Sequence, residues 1–155
     1  MSLRQTIALR AFGLVKIPLL FITSPSVIKL TEKECEAKIP LNFFTKNHLG
    51  SMYFGVLAMG ADLACGLMGM EAIRKSGKKV SLIFKDFKAE FLKRAQSDVH
   101  FFCYDGKKIQ KQVREALRSG DRVSRTYRIL ATTPKVSGRI PVAKFELTLS
   151  LKAQN

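Results

Sequence analysis

The segment that most constrains this chain is "NHLGSMYFGVLAMGADLACGLMGM", residues 47–70. It is apolar over about 20 residues, the length a membrane span needs. Yet Asp62 stands in its middle, and glycines recur at 50, 55, 60, 66 and 69. An unpaired carboxylate in a hydrocarbon layer is expensive, and no membrane span is expected. The alternative is a core helix from roughly residue 53 to 75. No polar face precedes Glu71, so the rest of the chain is expected to wrap this helix on nearly all sides. Gly77 is expected to close it.

The sequence on either side supplies the wrapping. Leu3, Ile7, Ala11, Leu14 and Val15 recur at helical spacing, which predicts a short amphipathic helix over 2–16. Pro18 and Pro25 then punctuate a connector. Lys16 and Pro18 interrupt the N-terminal apolar run, and no small-residue cleavage site follows, so a signal peptide is not expected. "SVIKLTEKECEAKIPL" alternates weakly and predicts one or two strands with a turn around Glu32–Glu34. After Gly77 the pattern changes to strands. Leu82 and Phe84 share one phase, whereas Phe87, Ala89 and Phe91 share the other, which predicts a bulge or a sharp bend near Asp86. "SDVHFFCYDG" is a further strand. Ile109, Val113, Ala116 and Leu117 place a short surface helix before the stop at Gly120. Two more strands follow, joined by a hairpin at Ser137-Gly138. The order predicts an α+β fold, a long buried helix beside a curved antiparallel sheet. A single domain over 1–155 is expected, with an N-terminal helix and connector over 1–25 and the core over 26–155.

Charge is the unusual term in the composition. Lys and Arg number 27 and Asp and Glu 12, a net +15. Such an excess favours anionic partners: nucleic acid, acidic lipid headgroups or a phosphate-bearing ligand. Nucleic acid is not expected, because no recognition-helix pattern or single-strand stacking platform is present. Cys35, Cys65 and Cys103 form no C-x-x-C, and with only His48 and His100 as imidazoles no metal site is expected. Reduced thiols point to a cytoplasmic location.

The element order and the motif around Asp62 resemble the hotdog-fold thioesterase superfamily, in particular the branch with the phenylacetyl-CoA thioesterases and their uncharacterised relatives. In that branch an Asn precedes an H-G-G turn by six residues, and an acidic residue follows the His position by nine. Here Asn47 stands six before Tyr53, and Asp62 nine after it. Tyr53 and Phe54 occupy the His and first Gly positions, and Gly55 the last. The likeness covers about residues 26–153 in element order and is sharp over 47–66. It implies an acyl-CoA thioesterase that needs no cofactor, with coenzyme A thioesters as substrate. It also implies that Lys93 and Arg94, ending the first long strand after the helix, stand where the nucleotide is met.

The residues themselves support that chemistry. Asp62 shares a helix stripe with Gly55, Met59, Gly66 and Gly69, leaving space in front of the carboxylate. It is expected to act as general base or nucleophile. The Gly55 N–H, in the first helical turn, is an unpaired donor suited to an oxyanion. Asn47 would orient water or the carboxylate; Tyr53, Phe54, Met59, Lys93 and Arg94 would contact substrate. The long, Phe-rich strand over 78–93 has an edge that invites pairing, so a homodimer or homotetramer is expected, with the groove between subunits. Two other readings stay open: a non-catalytic hotdog module that holds an acyl chain or acyl-CoA, and a basic nucleic-acid binder. Asp62 as a structural carboxylate and Asn47 as a mere cap are the corresponding bland roles.

Overall fold

The computed structural model describes residues 2–154; Met1 and Asn155, the outermost residues of the expected domain, lie outside the described residues. Element order is α1 (Leu3–Lys16), α2 (Pro18–Ile22), β1 (Ser26–Leu30), β2 (Cys35–Ile39), α3 (Phe54–Ser76), β3 (Val80–Phe91), β4 (Val99–Cys103), α4 (Gly106–Ser119), β5 (Val123–Thr132) and β6 (Pro141–Ala153). The six strands form one antiparallel sheet in the order β1-β2-β4-β5-β6-β3. β1 and β3 are therefore its two edges.

α3 is long because nothing in 54–76 breaks it, and it ends where Gly77 takes a left-handed φ of 66°. It packs against the sheet at very close range. A Cβ at Gly60 would lie 2.1 Å from Cζ of the fully buried Phe101 of β4. One at Gly69 would lie 2.6 Å from Leu82 Cδ1 of β3. The core of Phe101, Ile129, Phe145, Leu147, Leu149 and Leu151 closes against the helix. α4 covers the sheet beside it. Its stripe Ile109, Val113 and Ala116 is buried as expected, and so is Gln112. Gln112 Nε2 donates to the Val123 and Leu149 carbonyls, and Tyr127 Oη donates to Gln112 Oε1. Burying an amide this deeply requires that each group find a partner.

β3 carries the expected irregularity. Phe84 pairs with Leu149 and Phe87 with Leu147, so Lys85 and Asp86 together oppose Thr148. The extra residue turns both Phe84 and Phe87 toward the helix side, which a regular strand could not do.

Three expectations need correction. α3 is not wrapped on nearly all sides: Phe54, Asp62 and Met70 are exposed along one i, i+4 stripe. α1 forms over the predicted stretch, but its periodic apolar residues are not the buried face of an amphipathic helix. Thr6, Leu9 and Gly13 face inward, whereas Leu3, Ile7, Leu14 and Val15 face solvent. Thr6 sets this orientation, since its Oγ1 accepts from the Val27 N–H, and the Ser2 N–H donates to the Val27 carbonyl. Finally, residues 18–22 form a helix and not a plain connector, because proline suits the first turn of a helix, where its missing N–H costs nothing.

Candidate functional site

The site is built where the start of α3 meets the end of β3. The Met52 N–H donates to the Ala95 carbonyl at 2.8 Å, tying the segment after β3 to the turn before α3. The Leu92 and Lys93 N–H groups hold the other side by donating to the Val142 carbonyl. Between them lies an open groove of about 560 Å3, lined by Asn47, Tyr53, Phe54, Phe91, Lys93 and Arg94 among others. Lys93 and Arg94 also line an adjoining hollow of about 360 Å3, with Thr133 and Ser137 on its far wall. Of the eight residues singled out from the sequence, five meet here. Gly55, Met59 and Asp62 do not line either hollow.

The turn before α3 is ordered by Asn47. Its Oδ1 accepts from the Leu49 N–H at 2.9 Å and the Ser51 N–H at 3.2 Å. Its carbonyl oxygen is thus committed to the turn, and only its NH2 group is free for other work among the described residues. Arg94 also braces the turn, donating to the Leu49 carbonyl. Val56 and Leu57 donate to the Tyr53 carbonyl, which leaves the Phe54 and Gly55 N–H groups without an acceptor among the described residues. Tyr53 bends over this helix end. A Cβ at Gly55 would lie 2.6 Å from its Cε1. The Tyr53 and Phe54 rings stand 4.7 Å apart, and Phe54 meets Phe91 edge-on at 6.4 Å.

Asp62 lies two turns further along α3. Its residue is accessible to solvent, and it makes no hydrogen bond and no ion pair with any described residue. A Cβ at Gly66 would sit 4.0 Å from Asp62 Oδ1 and 3.9 Å from Phe84 Cζ, so the carboxylate and the Phe84 ring flank Gly66, with Asp62 open to solvent. The surrounding protein atoms displace water and push its pKa above the ordinary carboxylate range. Beyond it, Leu82 covers Gly69, so the predicted stripe is open at Asp62 and closed by β3 at its end. Cys65 is buried against Cys103, and the neighbouring Cys103 thiol together with burial pushes its thiol pKa up. It packs, as a protonated thiol. No group of His, Cys, Asp and Glu able to hold a metal occurs among the described residues.

Three solved structures illustrate the likeness of the whole chain. A Pseudomonas aeruginosa protein described as a "Protein of Unknown Function" and "Probable Thioesterase" superposes with a TM-score of 0.77 at 21% identity, covering 96% of each chain. A Chlorobaculum tepidum protein of unknown function gives 0.82 at 13% identity, over 97% of this chain and 96% of that one. A thioesterase from Haemophilus influenzae gives 0.60 at 15% identity, over 84% and 80%. The fold is the hotdog fold expected from the element order and the motif. None of the curated proteins matches the sequence. Residues 6–121 match the family described as "Domain of unknown function (DUF4442)", and the chain belongs to that family.

Proposed function

We propose that this protein hydrolyses acyl-CoA thioesters in a groove completed by a second copy of the chain. The observation that carries the reading is Asp62, a carboxylate with no partner among the described residues, on a core helix beside Phe84 and the small residue Gly66. A structural carboxylate on a core helix would be expected to bind a neighbouring loop or side chain, and Asp62 binds none of the described residues. In the proposed step Asp62 takes a proton from water as the water oxygen bonds to the thioester carbon. The carbonyl oxygen becomes an oxyanion, held by the Gly55 N–H and favoured by the positive end of α3. The C–S bond then breaks, and the proton passes to the departing CoA sulfur. Neither metal nor cofactor is needed.

Geometry argues for two copies. Gly55 and Asp62 are seven residues apart on one helix, roughly 10 Å along its axis, too far for both to touch one reacting carbon. A two-fold partner would bring the Gly55 N–H of one subunit to Asp62 of the other. β3 is the open edge through which the sheets would join. Sedimentation at micromolar concentration is expected to give a dimer or tetramer; a clean 17.4 kDa monomer would exclude the shared site.

The Asn47 NH2 and the aromatic rings of Tyr53 and Phe54 would contact the acyl-thioester end, with Met59 beside the chain. Lys93 and Arg94 would meet CoA phosphates. Replacing Arg94 by Ala should raise KM more than it lowers kcat, because binding is lost equally in ground and transition states. Equal affinity for CoA and its dephosphorylated form would count against a phosphate role. The buried, unpaired thiols of Cys35, Cys65 and Cys103 favour a reducing, cytoplasmic setting.

One observation favours a second reading, a module that holds acyl-CoA without turning it over: the Tyr53 ring lies across Gly55. A panel of acyl-CoAs with a free-thiol reagent separates the two. Saturable thiol release supports hydrolysis. Tight binding with no release supports the holding role.

A further inference from the structure

We propose that the α1–α2 hairpin docks on an anionic lipid bilayer, with its outward apolar side chains entering the headgroup boundary. The hairpin presents Val15, Leu19, Leu3 and Ile7 at 73, 63, 62 and 59% exposure, with Leu14 and Ile22 beside them. Leu3, Ile7 and Leu14 lie within about 40° of one another on a helical wheel. Soluble surfaces seldom leave so much apolar side chain uncovered in one place.

This exposure is built in. Thr6 and Ser2 bond to Val27, Arg10 Nε donates to the Pro25 carbonyl at 3.0 Å, and Gly13 lets α2 cross against Phe21. The hairpin is thus held to β1 with its apolar side outward. β1 is the sheet edge opposite β3, so pairing of two β3 edges leaves the hairpin bare.

Charge identifies the occupant. Residues 1–31 hold no Asp or Glu; Arg4, Arg10 and Lys16 lie in the hairpin of a chain with net charge +15, whereas Lys29 beyond it pairs with Glu34. Arg4 and Lys16 make no ion pair among the described residues. Apolar side chains flanked by uncompensated cations match the boundary between acyl chains and acidic headgroups.

The chain has no tryptophan, so Val15→Trp makes a single reporter in the full-length protein. Its emission is expected to shift to the blue with vesicles of phosphatidylcholine and phosphatidylglycerol, and to stay unchanged with phosphatidylcholine alone. A triple variant, Leu3→Asn, Leu14→Asn and Leu19→Asn, keeps the net charge and should lose about tenfold or more in vesicle affinity. Affinity equal to the parent's would reduce the effect to charge adsorption and overturn the proposal. So would an unshifted reporter, or one already blue without lipid that reddens on dilution, which would mean that a second copy covers the hairpin. Should the triple variant fail to fold, the reporter in the otherwise unaltered chain still decides.

Discussion

Exchanging Asp62 for Asn is expected to lower thioester hydrolysis by about 10²–10⁴-fold, the usual worth of a positioned general base, with folding and acyl-CoA binding retained. Size is kept and only the charge goes, and no described residue loses a bond, because Asp62 makes none. The raised pKa adds a pH signature. Hydrolysis should fall off on acidification at a higher pH than an ordinary carboxylate would dictate, since the base must be ionised. Stability carries the opposite sign. A group whose folded pKa lies above its unfolded value of about 3.9 is fully tolerated below that value, and it costs stability as pH rises through the folded pKa. The Asn variant should therefore melt no lower than the parent near neutral pH, and the two should converge in acid. Asp62→Leu should also melt no lower, in the usual trade of activity against stability. Full activity in the Asn variant, or a Leu variant that does not fold, would make Asp62 a structural group.

The largest effect on stability is expected at the contact between α3 and β4. Phe101→Ala should cost about 3–5 kcal/mol, as deletion of a fully buried ring does. Gly60→Ala opposes two terms. Alanine is favoured over glycine in a helix by about 1 kcal/mol, but overpacking costs about 1–3 kcal/mol. With the new Cβ 2.1 Å from a fully buried ring, the overpacking term wins, and the variant should be less stable. In the double variant the clash is gone, so Gly60→Ala should become neutral or stabilising there. Denaturant midpoints for the four proteins measure this coupling. Simple additivity would mean that the ring and the helix do not confine each other.

The bulge in β3 and the length of α3 were both legible in the sequence. Phe84 and Phe87 cannot face one side of a regular strand, and only Gly77 offers a stop after the apolar run. The spacing of Asn47, Tyr53 and Asp62 made the turn and helix legible too. The orientation of α1 was not. Its periodic apolar residues predict an amphipathic helix without saying which face turns inward, and the hydrogen bonds from Thr6 and Ser2 to Val27 that decide it reach a partner distant in sequence. Gln112 was equally hidden, because a buried amide is intelligible only once the Val123 and Leu149 carbonyls and the Tyr127 hydroxyl are in place. The groove depends on the bond from Met52 to Ala95, which joins residues too far apart for local pattern to pair.

The irregularity at Lys85 and Asp86 also limits how the molecule can stack. It falls at the centre of β3, with equal lengths of strand on either side. Two such edges meeting about a two-fold axis through this point would set kink against kink, and other alignments would set a kink against straight strand. Charged Lys85, Asp86 and Lys88 further discourage a third edge from adding on. In the proposed dimer, an otherwise sticky phenylalanine-bearing edge would thereby favour one closed pairing over continued strand addition at β3.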